Sequence, residues 1–404
     1  LVKILGEVMK VLVVNAGSSS LKYQLLNMED ESVIAKGLVE RINLDGAKLT
    51  HKANGKVFEF CEPIKNHAVA IKMVLNCLTD KEMGVIKDIS EINAFGHRFL
   101  HGGEICEPRI VNDELMQYLR QNTDLAPLHV PANIIGIEAC ENVAPNIPNV
   151  VVFDTAFHQT MPKKAYMYAI PQHFYTEYKI RKYGFHGMSH QFVSEEAAKM
   201  LNKPLEDTKI ITCHIGNGAS LCAVLGGKSM DTTMGFTPLA GVMMGTRSGD
   251  IDPSVLEFIM KKTGWDIKET TNFLNKQCGL LGISGFSSDS RDIENQLQTN
   301  ENARLAMDMM CYTITKNIAS FAGVLNGVDA IVFTAGIGEN SPELREEVLD
   351  NLTYLGIDLD KEKNRQTIRK DATEITKKDS KVKVFVIPTN EELVIARETE
   401  KLVK

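Results

Sequence analysis

Two arginines stand apart from the other charges of this sequence. Arg98 lies in GHRFLHGGE and Arg247 in MGTRSGDIDP, each flanked mainly by small and apolar residues. A planar guanidinium in such a setting can hold a carboxylate, or the oxygens of a phosphoryl group, with two hydrogen bonds. The bland alternative, a solvated surface charge, suits arginines set among other charges better. Asp154 ends the apolar run VVVFD. A carboxylate at the C-terminal edge of a strand is a frequent catalytic position in α/β sheets and also a frequent helix or turn cap. His186 sits in YGFHGMSH, and a lone histidine is more often structural than catalytic. Glu391 in PTNEELVIA reads equally well as a first-turn acid favoured by a helix dipole. His129 in PLHVP and His214 in CHIGNG make weaker claims.

Two glycine turns accompany these residues. VLVVNAGSSSLKYQLL (Val11 to Leu26) resembles IITCHIGNGASLCAVL (Ile210 to Leu225). Each has four strand residues, then Asn15 or His214, an apolar residue, Gly17 or Gly216, a small polar row, and Leu21 or Leu221 opening a second strand. One residue of insertion separates the copies. Hairpin turns in general favour Gly, Asn and Ser, but two copies in one register point to a duplicated domain. Glycines let backbone N–H groups approach an anion, and Ser or Asn side chains add donors. Two facing turns could hold a polyphosphate between two domains. A P-loop is excluded: GGKS (Gly226 to Ser229) has Cys222 where the first glycine belongs, and no helical pattern follows. A dinucleotide fingerprint fails as well, with Leu221 in place of the third glycine.

The elements that must position these residues follow from period and punctuation. Lys10 to about Phe60 reads as several antiparallel strands, with turn signals at NLDG and KANGK. Helical spacing covers about Asn66–Leu78, Asp113–Gln121, Pro131–Asn142, Ser189–Leu201, Pro253–Lys262, Trp265–Asn275 and about Asn302–Leu325. INAFGHRFLHGG is a strand running into a glycine loop, and NVVVFDTAF is a buried strand. DAIVFTAGIGEN is a strand entering a glycine loop, with Ser341 and Pro342 as cap and first residue of the next helix. VKVFVIPTNEELVIARETEKLV is a last strand and a last helix.

The chain has 404 residues, 44% hydrophobic and 24% charged, with a net charge of −7. That length favours two domains. The acidic pI near 5.9 and the lack of a basic run argue against a nucleic-acid partner. No apolar run suits a membrane helix or a signal peptide. The eight cysteines form no Cys-x-x-Cys pair and read as reduced thiols of a cytoplasmic protein. Residues 1–8 read as an upstream extension.

VLVVNAGSSSLK and CHIGNGASLCAVLGG resemble the two signature motifs of the acetate kinases. GHRFLHGGE, FDTAFHQTMP, YGFHGMSH, GTRSGDIDP, FTAGIGEN and IPTNEELVIA extend the resemblance over nearly the whole chain. It implies an α/β fold of two duplicated actin-like (ribonuclease H-like) βββαβαβα domains with the active site in the interdomain cleft. We assign the first domain to residues 9–152 plus 392–404 and the second to 153–391. The resemblance also implies a homodimer, and the reversible transfer of the ATP γ-phosphate to acetate, with magnesium as cofactor and manganese able to substitute. A carboxylate is already deprotonated near neutral pH, so no strong base is needed. The difficulty is to bring two anions together and to stabilise charge on the phosphoryl oxygens in flight.

By the same resemblance, Arg98 binds the substrate carboxylate and Arg247 stabilises the transition state. His186 donates a hydrogen bond to the phosphoryl group, and Asp154 orients substrate or holds the waters of the magnesium. Asn15 and Glu391 are the metal ligands, Glu391 through water; the residues alone do not separate Glu391 from Glu392. Nucleotide contacts carry over to Lys22, to His214, Ile215, Gly216, Asn217 and Gly218, to Asp289, Ser290 and Arg291, and to Gly336, Ile337, Gly338, Glu339 and Asn340. On its own terms Lys22 reads equally as an exposed strand lysine. The acyl pocket maps to Leu100, Leu128, Phe185 and Pro238. The family often has valine where Leu100 stands, and one methylene changes discrimination by only about 1–3 kcal/mol. A propionate or butyrate kinase with the same phosphate machinery is the nearest rival reading. A non-catalytic actin-like nucleotide-binding protein is the rival of another class, which has no use for a second carboxylate-binding site.

Overall fold

The computed structural model describes residues 8–404 except 128, 369 and 370. Leu128 and residues 1–7 of the extension therefore lie outside the described residues. The chain divides into two compact units, one made of the chain up to Ala156 together with Asn390–Lys404, the other of Phe157–Thr389. These limits put Asp154 and Glu391 in the first unit, although the sequence boundaries placed both in the 153–391 span.

The first unit is built on one sheet. Its strands are β1 (Lys10–Ala16), β2 (Ser20–Asn27), β3 (Val33–Glu40), β4 (Lys48–Ala53), β5 (Lys56–Phe60), β6 (Ala94–Phe99), β7 (Arg109–Ile110) and β8 (Asn149–Phe153), in the order β5-β4-β3-β2-β1-β6-β8-β7. β1 to β5 form an antiparallel meander, while β6 runs parallel to β1 and β8 parallel to β6. β1 is therefore a central strand, not simply the first of an alternating set. Val11, Leu12, Val13 and Val14 are all buried, because the helix Val130–Val143 and the helix Glu391–Val403 both pack on this strand. A strand covered on both faces needs a continuous apolar run.

The second unit repeats the plan. Its strands are β9 (Lys209–Ile215), β10 (Ala219–Leu225), β11 (Lys228–Thr232), β12 (Ala330–Thr334), β13 (Thr373–Glu374) and β14 (Lys383–Val386), in the order β11-β10-β9-β12-β14-β13. β9, β10 and β11 are antiparallel, and β12 and β14 run parallel to β9 and to β12 respectively. The run β3-β2-β1-β6-β8 thus has the same order and directions as β11-β10-β9-β12-β14, the duplication expected of the fold. Each copy even ends on a short antiparallel edge strand, β7 or β13.

The helices form where caps and apolar stripes coincide. Asn66 accepts from the Val69 N–H before the helix His67–Thr79, and Asn112 from the Leu115 N–H before Asp113–Gln121. Ile71, Val74 and Leu75 of the first pack with Leu12, Leu25 and Phe95 of the sheet, each such side chain contributing about 1.5–3 kcal/mol by leaving water. The helix Glu301–Leu325 lies on β9, β10 and β11, and Gly187–Met200 lies on β9 and β12. The two units trade their last helices. Gly187–Met200 follows β8 in the chain but packs in the second unit, and Glu391–Val403 follows β14 but packs on β1, β6 and β8 of the first. Gly96 permits that docking, since a Cβ there would stand 2.6 Å from Thr399 Oγ1 and 2.7 Å from Ile395 Cγ2.

One local expectation needs correction. Gly336–Asn340 is not a glycine loop: Ala335–Asn340 is a short helix. Its first free amide is met internally, because Glu339 Oε1 accepts from the Ala335 N–H at 2.7 Å. That bond lets a glycine-rich segment start a helix directly at the end of β12. The next helix, Pro342–Asp350, starts on Ser341 and Pro342 as expected.

Candidate active site

In the first unit the functional side chains gather where three neighbouring strands end. Val14 pairs with His97 and Arg98 with Val152. The next step along β1 is Asn15, beside Arg98, and the residue after β8 is Asp154, whose N–H donates to the Phe99 carbonyl. C-terminal edges of parallel strands are where sheets of this kind present ligands. The helix Glu391–Val403 begins at the same edge, with Asn390 capping the Leu393 N–H. Arg98 Nη2 donates to Asp154 Oδ2 at 3.1 Å, and Nη1 lies 3.0 Å from Glu391 Oε2.

Burial alone would lower the Arg98 pKa, but the charges of Asp154 and Glu391 outweigh it and hold the guanidinium above its ordinary value. Glu391 is raised, first by burial and then by the charges of Asp154 and Glu392, with Arg98 and Lys22 acting against the rise. Lys22 is exposed on β2, opposite Asn15. Glu391, not Glu392, makes the ion pair to Arg98. Leu100 is half-buried and packs on the cluster of Phe99, Val151 and Phe153. His129 is exposed before the helix Val130–Val143.

In the second unit the β9–β10 turn gathers another set. His186 holds a left-handed conformation, φ +58°, at the start of the helix Gly187–Met200, a strained state for a non-glycine residue and a common mark of functional positions. Its Nδ1 is 2.8 Å from Ser220 Oγ. Its ring stacks on that of His214, with centroids 4.0 Å apart, and His214 Nδ1 is 2.8 Å from Ser189 Oγ. Arg247 donates from Nη1 to the Pro238 carbonyl at 3.2 Å and makes no ion pair among the described residues. Burial lowers its pKa. These groups converge on Gly218. A Cβ there would lie 3.4 Å from Arg247 Nη1 and 3.7 Å from both Cε1 and Nε2 of His186. Pro238 is half-buried, whereas Phe185 is buried and its carbonyl lies 2.9 Å from His158 Nε2.

A cavity of about 640 Å³ opens beside this turn. It is lined by Gly216, Asn217, Asp289, Ser290, Arg291, Gly336, Ile337 and Asn340 among the expected nucleotide contacts. Lys22, His214, Ile215, Gly218, Gly338 and Glu339 do not line it. Ile215 is buried as the last residue of β9, and Glu339 is turned inward by its bond to the Ala335 N–H. Asp289 caps the short helix Ser290–Glu294 and is held down to about 2 by the side-chain and backbone hydrogen bonds of Arg291.

Sequence reasoning missed Ser288, Glu294, Ser341 and Ile368, which line the same cavity. Burial raises Glu294, which accepts from Ser341 Oγ. It also missed Arg345, which is fully buried. Arg345 donates to the carbonyls of Gly338, Asn364 and Thr367 and to Asn364 Oδ1, and burial pushes its pKa down to about 10. It thereby ties the glycine helix to the segment that carries Ile368. No local signal marks it, because its acceptors lie in the preceding helix at Gly338 and in a later stretch at Asn364 and Thr367.

The arrangement has two chemical capacities. The first unit offers a guanidinium with a carboxylate on either arm, and the second offers a glycine turn with a guanidinium and an imidazole above it, next to a cavity of nucleotide size. The Acetokinase family model matches residues 10–397. The acetate kinase of Clostridium kluyveri is 59% identical over 98% of this chain and 98% of its own length. That of Caldicellulosiruptor saccharolyticus is 55% identical over 98% of this chain and 100% of its own. Among solved structures, Porphyromonas gingivalis acetate kinase superposes with a TM-score of 0.94 at 44% identity, covering 98% of this chain and 100% of its own. A propionate kinase from Francisella tularensis gives 0.90 at 40% identity, covering 97% and 99%. The two actin-like domains, their glycine turns and these matches agree: the chain belongs to the acetokinase family.

Proposed function

We propose that this protein is a phosphotransferase that moves the γ-phosphate of ATP to acetate, reversibly, giving acetyl phosphate and ADP. The observation that carries the reading is the convergence on Gly218, where Arg247 and His186 flank the space above a glycine turn that borders the nucleotide cavity. Arginine and imidazole donors in that position suit charge developing on phosphoryl oxygens. The first unit supplies the acid. Arg98 is held between Asp154, which is fully buried, and Glu391, which is 16% exposed. Glu391 is the more accessible arm, so an incoming carboxylate takes the donor that Glu391 now occupies. Asp154 keeps the guanidinium oriented throughout. The adenosine end occupies the cavity of Gly336, Ile337 and Asn340, on the short helix whose Gly338 carbonyl Arg345 bonds.

Magnesium fits the first unit. Among the described residues no group of three or more His, Cys, Asp or Glu side chains is placed to hold a metal, so an all-protein cage is not the mode. Magnesium more commonly keeps several waters and takes one or two protein ligands plus phosphates. A carboxylate whose charge is opposed by burial and by two neighbouring acids welcomes such a cation, and Glu391 with Asn15 would hold it. When bound, it screens charge between the phosphates and the attacking acid.

Helix Pro253–Thr263 buries none of its residues, and Phe258 on it is 61% exposed. This supports a homodimer through that face, and sedimentation should then return twice the 44.8 kDa chain mass. A sharp monomer at micromolar concentration would reject it. The eight cysteines are free thiols, which supports a reducing compartment such as the cytoplasm. Among the described residues no helix is long and apolar enough to cross a membrane.

The similarity to a propionate kinase favours one second reading, the longer acid. Initial rates with ATP, magnesium and acetate, propionate or butyrate, trapped with hydroxylamine, separate the two. Acetate should give the highest kcat/KM, about 10-fold or more over propionate. Preference for propionate or butyrate would keep the chemistry and change the substrate. No acid-dependent turnover would leave only a nucleotide-binding protein.

A further inference from the structure

We propose that Ser220 is a positioning residue that fixes which ring nitrogen of His186 carries the proton. The inference rests on the reading that His186 donates to the phosphoryl group, and goes beyond it by naming what makes it a donor. Ser220 Oγ is 2.8 Å from His186 Nδ1 and 2.8 Å from His190 Nε2, and His190 Nδ1 is 2.7 Å from Thr212 Oγ1. Ser220, His190 and Thr212 are all fully buried, so no water competes inside the chain.

A serine hydroxyl has one proton to give, so it donates to one imidazole and accepts from the other. His190 is neutral, because burial and then the neighbouring His158 and His214 press its pKa well below the usual histidine value. A neutral ring also has one N–H. The three links are therefore directional, and only two self-consistent arrangements exist. In one, Thr212 donates to His190 Nδ1, His190 Nε2–H donates to Ser220, and Ser220 donates to His186 Nδ1. His186 then carries its proton on Nε2, the nitrogen that faces the space above Gly218 next to Arg247. In the other, every bond is reversed and His186 presents a bare lone pair there.

One observation selects the first arrangement, and the proposed function agrees with it. The reversed one needs Thr212 to send its proton to the Cys222 carbonyl, which lies 3.5 Å away, too far for a strong bond. On the proposed function it would also point a lone pair at the transferring phosphoryl oxygens. The relay thus makes a neutral histidine an obligate donor without requiring that it be an imidazolium. The stacked ring of His214, itself bonded to Ser189 and through it to Thr389, holds the plane of the His186 ring.

The test is the long-range proton–nitrogen spectrum of the full chain labelled in histidine, with kinetics of Ser220→Ala, Ser220→Thr, Thr212→Val and His186→Ala. In the unmodified protein, neutral His186 should carry its proton on Nε2. Ser220→Ala should move it to a mixture and lower kcat about 10–100-fold, with little change in the KM for ATP. Ser220→Thr should restore both. Thr212→Val, far from the phosphates, should shift the same ring signals. A proton on Nδ1, or on both nitrogens, in the unmodified protein would overturn the inference, as would an unmoved kcat in Ser220→Ala when His186→Ala is impaired. An unimpaired His186→Ala would overturn the role of His186 and the inference together.

Discussion

Arg98→Ala is expected to lower kcat/KM for the carboxylic acid by about 10²–10³-fold, the scale of losing a preorganised charge-assisted donor. It should also lower stability by about 3–5 kcal/mol, because it leaves Asp154 buried without its guanidinium. The two effects separate in a double variant. Arg98→Ala with Asp154→Asn removes one of the two acids that Arg98 pairs, so part of the thermal stability should return while turnover does not. If the double variant recovers neither, the site has rearranged and the pairing argument fails. The pH dependence has a definite sign. Glu391 already has a raised pKa, and the Arg98 charge acts against that rise. Without Arg98 the folded pKa of Glu391 climbs further above its unfolded value. A carboxylate so shifted disfavours folding increasingly as pH rises from the unfolded towards the folded pKa. The stability deficit of Arg98→Ala should therefore be smaller at about pH 5 than at about pH 8. A deficit that grows on acidification would contradict the charge account.

Arg247→Ala should act on rate almost alone. An arginine that stabilises a transferring phosphoryl group is worth about 10³–10⁵ in kcat, so a loss near 10³-fold is expected with the KM for ATP little changed. Stability should not fall with it. Arg247 is a half-buried cation whose pKa is lowered by burial, and its polar contacts are a carbonyl and the Met244 sulfur rather than an acid. Removing it relieves desolvation and breaks no ion pair, so the melting temperature should hold or rise. Arg247→Lys keeps the charge but loses the planar fork, and should recover only part of the rate. A kcat within tenfold of the parent in Arg247→Ala would show that the guanidinium does not meet the transition state.

Much of this was readable in the sequence, and the exceptions have physical causes. The glycine turns announced the duplication, yet the echo equated Leu21 with Leu221. In the registers Leu21 faces Ala16 while Leu221 faces Cys213, and the partner of Asn15 is Lys22 where that of His214 is Ser220. The first turn is the longer one, so the equivalent of Leu21 is Ala219. The slip is two residues, which preserves the face and explains why the apolar pattern still matched. The cap Ser341 acts within three residues, on the Leu344 N–H, and was visible for that reason. Arg98 and Glu391 come from opposite ends of the chain, and no local rule brings them together. Without the family resemblance, Glu391 and Glu392 could not have been told apart. The helix at Ala335–Asn340 was hidden because its glycines signal a loop, while the bond that starts it comes from Glu339 at its far end. Arg345 went unread because its burial depends on carbonyls at Gly338, Asn364 and Thr367 that only the fold brings around it.

The traded helices have a bearing on how the protein is made. Residues Asn390–Lys404 complete the first sheet, but they follow the entire second unit in the chain. On the ribosome, β1, β6 and β8 are therefore finished early and must wait with one face bare. Until that helix docks, Gly96 has nothing to receive and Arg98 lacks one of its two acids. The earliest part of the molecule to be synthesised is thus among the last to mature, and a chain interrupted anywhere in its second half carries an unsealed apolar sheet. Nascent chains of this protein should be natural clients of chaperones that recognise exposed strands, and release from them should coincide with completion rather than with the first domain boundary.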